Sequence, residues 1–168
     1  MGKSGIKYPL SGMKWDIFIL QMRVMLIGQH IHTLDPKKRI SLPSQFRKEL
    51  GKKLVLTNGL DRCIFVYGLE EWTHVAEKLS NTSIGSTDQR GFNRFILAGA
   101  SEVEVDASGR ILIPEFLKKF ANLGERVVLA GVHNRVEIWD EEAWNTYQAK
   151  LTGEADVLAE KLSEVGII

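Results

Sequence analysis

The sequence lacks several features that would place it in a specialised class of protein. It has a single cysteine, Cys63, which can form no disulfide within the chain and has no second cysteine with which to share a metal. Its apolar runs at 17–20 and 24–27 are interrupted by Gln21 and Arg23, and both are far shorter than the roughly 18 residues that a membrane-spanning helix needs. No cleavage site of a signal peptide follows them. We therefore expect no membrane partner and a reducing compartment, the cytoplasm.

The chain also lacks an excess of charge of one sign. It has 22 basic and 21 acidic residues among 168, with 44% hydrophobic and 26% charged residues, as is typical of one or two globular domains. The charge is unevenly distributed, since residues 22–83 hold 10 basic and 6 acidic residues whereas residues 101–168 hold 7 basic and 13 acidic. Residues 37–53 include seven basic residues and one acidic residue. This pattern predicts an anion-binding face in the first half of the chain.

An internal repeat organises most of the sequence. The stretch TLDPKKRISLP at 33–43 aligns with EVDASGRILIP at 104–114, so that an aspartate, an arginine and a proline recur 71 residues apart. Later matches, including Trp72 with Trp144, keep nearly the same offset. The repeat predicts five segments: a leader at 1–21 that is not native or is disordered, a first unit at 25–79, a connecting helical segment at 80–101, a second unit at 102–150 and a C-terminal helix at 151–168.

Each unit has the same predicted order of elements: a strand, an Asp-x-x-x-Arg turn, a short strand, a short helix, a pair of strands and a final helix. Asp35 and Asp106 are expected to shape the turns, because an aspartate carboxylate accepts hydrogen bonds from nearby backbone N–H groups. Pro43 and Pro114 should end the short strands and begin the short helices. About 50 residues of short strands bury too little core to fold alone, so the two units should complete each other.

The last segment carries an apolar stripe at helical spacing between residues 154 and 165. It predicts a terminal amphipathic helix. This helix either packs against the rest of the chain or contacts a neighbouring subunit.

The sequence gives little support to an enzyme or to a metal site. No nucleophile with a base, no carboxylate pair and no metal cluster occurs at a usable spacing. His30 and His32 share one face of a predicted strand, but no third ligand lies at a motif distance, so we interpret them as polar strand residues. Arg62 beside Cys63 would favour a reactive thiol, whereas the apolar neighbours favour a buried structural cysteine. We expect no cofactor, no metal and no small-molecule substrate.

The first Asp-x-x-x-Arg turn favours DNA. Lys37, Lys38 and Arg39 lie within it and Arg47 follows, and cations on a projecting loop can reach phosphates or the edge of a groove. Alternatively, each aspartate pairs with the arginine of its own motif, Asp35 with Arg39 and Asp106 with Arg110, as a salt bridge that shapes the turn. Both interpretations can hold together. From the residues alone, a DNA-binding protein and a general interaction module both stay open.

These motifs resemble the MraZ family of bacterial proteins, which are built from two tandem SpoVT/AbrB-type units. The matching segments are HTLD at 32–35 with Arg39 and LP at 42–43, FILAGA at 95–100, DASGRILIP at 106–114 and EIWD at 137–140. The resemblance implies an α+β, mainly β fold in which two swapped-hairpin units form a pseudo-two-fold β-barrel core with flanking helices. It also implies a sequence-specific regulator of transcription of the division and cell-wall gene cluster. Such a regulator would bind repeats upstream of its own operon as a ring-shaped homo-oligomer associated with the nucleoid.

The resemblance assigns Arg39 and Arg110 of the two motifs to contact with double-stranded DNA. Lys37, Lys38 and Arg47 join them on the basis of charge. The second turn has Ala-Ser-Gly at 107–109 where the first has Pro-Lys-Lys, so we expect the first unit to dominate phosphate contact and Arg110 mainly to hold its turn. A protein–protein assembly scaffold without specific DNA binding is the alternative.

Overall fold

The structure is a computed structural model that describes residues 25–81 and 85–167, so the predicted leader lies outside the described residues. The strands are β1 (Leu26–Thr33), β2 (Arg39–Ser41), β3 (Lys53–Asn58), β4 (Ile64–Gly68), β5 (Ser101–Glu104), β6 (Arg110–Leu112), β7 (Arg126–His133) and β8 (Val136–Asp140). The α-helices are α1 (Ser44–Leu50), α2 (Leu69–Ser80), α3 (Thr87–Asn93), α4 (Glu115–Phe120) and α5 (Glu141–Glu164), and a π-helical turn, Arg94–Ala98, follows α3. The described residues thus form an α+β fold with antiparallel strands and five helices.

The strands form two sheets, and each sheet contains strands from both units. The larger has the order β1-β7-β8-β4-β3-β5, and β2 pairs with β6 in a separate two-stranded ribbon. The first strand of each unit therefore pairs with the third strand of the other unit, β1 with β7 and β5 with β3. Each unit covers a strand edge that the other would leave open, which is why neither is complete without its partner.

The β-barrel expected from the resemblance is not closed. β1 and β5 are the two ends of the six-stranded sheet, and no ladder among the described residues joins them. The reason lies in the turns. Each Asp-x-x-x-Arg turn takes the chain out of an edge strand and into the two-stranded ribbon. The buried side of this ribbon, with Ile40 and Ile111, packs on the core where a closed barrel would have a further strand ladder.

One hydrophobic core is shared by the two units. It combines side chains of strands, turns and short helices from both halves of the chain. Phe46 of α1 and Leu117 of α4, which occupy the same position in the repeat, are both fully buried in it. The spacing of apolar residues in these helices predicted that face, and Pro43 and Pro114 directly precede the two helices as expected. The core therefore depends on both units at once.

A second, smaller cluster lies on the other face of the sheet. Cys63, Val128 and Trp139 are buried there, under Trp144 and Tyr147 of α5. Burial raises the pKa of the Cys63 thiol far above its usual range, and its Sγ donates to the Leu60 carbonyl at 3.2 Å. The interpretation of Cys63 as a buried structural residue is confirmed.

Strand β7 pairs with β1 over its whole length. Its last residues extend as far as His133 because they pair with the start of β1, with Gly131 opposite Gly28. A Cβ on Gly131 would lie 2.7 Å from the backbone of Leu26 and of Ile27. Glycine at this position allows the two units to approach closely.

The C-terminal helix differs from the prediction in two ways. It is not a separate element, because α5 runs without a break from Glu141 to Glu164 and crosses the predicted boundary at residue 150. Its outer half does not pack on the chain, since every residue from 152 to 167 is exposed, including Val157, Leu158 and Leu162 of the apolar stripe. The interpretation of the stripe as packing within the chain is therefore wrong. Among the described residues, no helix is long and apolar enough to cross a membrane.

Candidate nucleic-acid interface

Both Asp-x-x-x-Arg motifs form the same compact turn. In the first, the Arg39 backbone N–H donates to Asp35 Oδ1 at 2.9 Å, and the Arg39 Nε donates to Asp35 Oδ2 at 2.8 Å. In the second, Arg110 donates to Asp106 through the same two groups at 2.9 Å each. The predicted salt bridge within each turn is confirmed. Each aspartate holds both the backbone and the guanidinium of its arginine.

The residue before each arginine has left-handed backbone conformation. Lys38 has φ +61° and Gly109 has φ +76°. Their carbonyls accept hydrogen bonds from the other unit, Lys38 from the Ile113 N–H at 2.8 Å and Gly109 from the Leu42 N–H at 3.0 Å. Each turn is thus bonded to the strand end of the other unit, and a glycine fits this conformation with less strain than a lysine.

The hydrogen bonds within the turns lower the pKa of both carboxyl groups. For Asp35 and Asp106 the largest cause is the backbone N–H of the arginine, and the guanidinium adds to it. Because the pKa is lower in the folded chain than in the unfolded one, each ionised aspartate stabilises the fold above the unfolded pKa of about 4, and this contribution is lost as the pH falls through the folded pKa.

We therefore expect the Asp35→Asn, Asp106→Asn double variant to be less stable than the unchanged chain at pH 7, with a difference that shrinks below about pH 4. Urea unfolding of both proteins at pH 7, 5, 4 and 3 measures this. A difference in unfolding free energy that is as large at pH 3 as at pH 7 would contradict the assignment to these carboxylates.

The two motif arginines lie on one exposed face of the β2–β6 ribbon. Arg39 is opposite Leu112 and Arg110 is opposite Ser41, and residues directly opposite each other in an antiparallel pair point to the same side. Ile40 and Ile111, between them, point to the other side and are fully buried. The ribbon therefore presents two arginines outward, each with about a third of its side chain exposed, at 30% and 32%.

The salt bridges leave each arginine with donors for a ligand. A guanidinium has five N–H groups. In the first turn, Asp35 Oδ2 takes the Nε and contacts Nη2 at 2.7 Å. Among the described residues no other acceptor contacts Arg39, so the outer edge with Nη1 stays available. Asp35 fixes the direction of that edge, which lowers the entropy that binding would cost.

The lysines and Arg47 are not equivalent in the structure. Lys37 is exposed at the tip of the first turn. Lys38 forms an ion pair with Glu115 Oε2 at 2.5 Å, across the two units. This pair lowers the pKa of Glu115. Arg47 lies over the second turn, where its guanidinium occupies the space that a Cβ on Gly109 would fill. The sequence-predicted cations thus divide between the two turns.

Glu115 is the residue of this surface that sequence reasoning missed. It lies 77 residues from its partner Lys38 along the chain. A signal was present in the repeat, because Glu115 stands 71 residues after Ser44, directly behind the repeated proline. The repeat therefore places an acid at one turn and a neutral residue at the other.

His30 and His32 both lie on strand β1. His30 packs edge-on against the Phe46 ring, with the ring centres 5.2 Å apart. Burial lowers the pKa of His32, and neighbouring His30 adds to this. In the part of the chain that the structure describes, no three His, Cys, Asp or Glu side chains come close enough together to hold a metal.

The two tandem units exchange strands and share a ribbon that bears two ion-paired arginines. These features define the chain as a tandem-repeat α+β protein. The family model described as "MraZ protein, putative antitoxin-like" matches it twice, at residues 25–95 and 96–162. The chain belongs to the MraZ family.

Curated relatives resemble the chain over their full length. The transcriptional regulator MraZ of Caldicellulosiruptor saccharolyticus is 49% identical over 143 residues, which is 85% of this chain and 100% of the relative. The proteins of the same name from Caldanaerobacter subterraneus subsp. tengcongensis and from a Thermoanaerobacter species are 48% and 47% identical, with the same coverage. The resemblance stated from the motifs is confirmed.

Proposed function

We propose that this chain is a DNA-binding regulator of transcription and that the exposed face of the β2–β6 ribbon meets double-stranded DNA. One observation carries the proposal: Arg39 and Arg110 lie on the same outward face of a two-stranded antiparallel ribbon. The major groove of B-DNA admits such a ribbon, and arginine is well suited to bidentate contact with guanine. The name of the relatives, transcriptional regulator, supports the same function.

The proposed interface combines two kinds of contact. Arg39 and Arg110 are neutralised by their aspartates, so they add specificity more than long-range attraction. Attraction to phosphates comes from cations that form no ion pair among the described residues, such as Lys37 and Arg47. Because both belong to the first unit, that unit should dominate phosphate contact.

We further infer that the chain forms a ring-shaped homo-oligomer, with its two units related by a pseudo-two-fold axis. The mirrored strand order supports the axis. Two exposed apolar surfaces support self-association: the outer half of α5, and the edge strand β1 with Ile27 and Ile31 each about half exposed, at 54% and 55%. Several copies of the ribbon could then bind successive repeats upstream of the operon and gain avidity. In this proposal the protein lies on the nucleoid in the cytoplasm and regulates the division and cell-wall gene cluster.

Fluorescence anisotropy tests the proposal. The full chain is titrated into labelled duplex from upstream of its own gene and into scrambled duplex, across a salt series, beside Arg39→Ala. We expect tight binding that prefers the upstream duplex and weakens steeply with salt, because each neutralised phosphate releases counterions. Equal binding to both duplexes, unchanged in Arg39→Ala, would contradict it.

A protein assembly scaffold is the second candidate. The exposed apolar stripe of α5, with Val157, Leu158 and Leu162, favours it. An apolar interface is insensitive to salt, whereas binding through phosphates is not. The salt series therefore separates the two functions in one experiment.

A further inference from the structure

A cleft lies between α1 of the first unit and the turn of the second. It has a volume of about 430 Å³, and its lining includes Ser44, Arg47, Lys48, Lys52, Asp106 and Gly109. The two walls come from different units. The second turn, which has one cation in its own sequence, therefore has three more beside it that the first unit supplies.

The charge of the cleft is strongly positive. Arg47, Lys48 and Lys52 have no ion-pair partner among the described residues. The carboxylate of Asp106 is already satisfied, because it accepts from the Ser108 and Arg110 backbone N–H groups and from the Arg110 guanidinium. The cleft is thus left with three positive charges that attract an anion.

The equivalent place at the first turn keeps two cations, Lys118 and Lys119, but has two acidic residues that the cleft lacks. Ser44 corresponds to Glu115 in the repeat. Lys52 corresponds to Glu125, since the Lys52 carbonyl accepts from Val105 N–H at 2.9 Å and the Glu125 carbonyl accepts from Leu34 N–H at 2.7 Å. Both differences lower the positive charge of the helix side of the first turn relative to the cleft.

We propose that this cleft binds a phosphate group of the DNA backbone. The inference rests on the proposed function and deepens it. The cleft adjoins the end of the ribbon on which Arg110 lies, because the Gly109 carbonyl accepts from Leu42 N–H just beyond the β2–β6 ladder. A duplex on the ribbon face therefore reaches Arg47, Lys48 and Lys52 with its backbone. The ligand is a phosphate ester, and a free phosphate is the competing source that the test separates.

The repeat itself supplies the variants for the test. Ser44→Glu with Lys52→Glu gives the second turn the acids of the first, and Glu115→Ser with Glu125→Lys does the reverse. The Ser44→Glu change is compatible with folding, because an acid in the first turn of a helix is favourable. Thermal unfolding and circular dichroism check that all the proteins are folded.

We expect Ser44→Glu with Lys52→Glu to weaken binding to upstream and scrambled duplexes alike, by roughly tenfold or more at about 0.15 M salt. The plot of log affinity against log salt has a negative slope, and the magnitude of this slope should decrease by about one, the value for one lost phosphate contact. The reciprocal variant should bind both duplexes more tightly. Calorimetric titration with inorganic pyrophosphate completes the design.

Three results would overturn the assignment. The first is that the Ser44→Glu, Lys52→Glu variant has the same affinity and the same salt slope as the unchanged chain, which still binds DNA with strong salt dependence. This result would refute phosphate binding by the cleft and would leave the proposed function intact. Pyrophosphate binding that this variant loses while its DNA slope stays the same would assign the cleft to a free phosphate ligand. An unchanged chain without salt-dependent DNA binding would overturn the proposed function and the cleft together.

Discussion

Removing the ion pair of the first turn, with Asp35→Asn and Arg39→Ala, should abolish most of the preference for upstream over scrambled DNA. The preference should fall roughly tenfold or more, because one bidentate contact from arginine to a base discriminates by about 1–3 kcal/mol. The double variant loses one cation and one anion, so its net charge is unchanged. The salt dependence should therefore stay close to that of the unchanged chain, and competition anisotropy with the two duplexes measures the preference directly.

The matched control is the same change in the second turn, Asp106→Asn with Arg110→Ala. The hydrogen bonds between aspartate and arginine are the same in both turns, so both double variants lose the same bonds between these two residues. Any larger loss in the first then reports contact with DNA. We expect a smaller effect in the second turn, where Arg110 mainly holds the turn and the proposed phosphate contact comes from α1. Equal losses of preference in the two variants would refute this ranking.

The features that local sequence determines were predictable. The repeat gave the order of strands and helices in both units, and the spacing of Asp35 from Arg39 gave the salt bridge, because all the interacting groups lie within five residues. The same holds for the short helices behind Pro43 and Pro114. In each case one short segment contains the whole cause of its structure.

The features that depend on contact between the units were not predictable from local pattern. Counting charge along the sequence assigned Lys38 to an unpaired cationic turn, whereas the fold places Glu115 beside it. The same counting predicted a second turn with a single cation, whereas the fold places Arg47 and Lys48 of α1 next to it. The prediction of a β-barrel core was wrong for a related reason, because the positions of β1 and β5 depend on how the two units exchange strands.

The shared core gives the second of the two largest effects. Phe46→Ala and Leu117→Ala remove fully buried side chains at the same position of the repeat. Each should lower the unfolding free energy by about 2–5 kcal/mol, which is a large part of the 5–15 kcal/mol typical of a domain. Because the core joins both units, either change should destabilise the whole chain. Leu60→Ala, at a half-exposed position, is the control and should change it by about 0.5 kcal/mol or less.

Hydrogen-exchange mass spectrometry along a urea series resolves the two units. Peptides from β4 and β8 should lose protection at the same urea concentration in the unchanged chain and together at a lower one in each core variant. The ladders explain why, since β4 pairs directly with β8, and β1 and β5 each pair with a strand of the other unit. The protein concentration is held constant, because assembly would stabilise the fold by mass action. Protection of β8 that persists after Phe46→Ala has unfolded β4 would mean that the second unit folds on its own, and the exchange of strands would then not be what makes each unit stable.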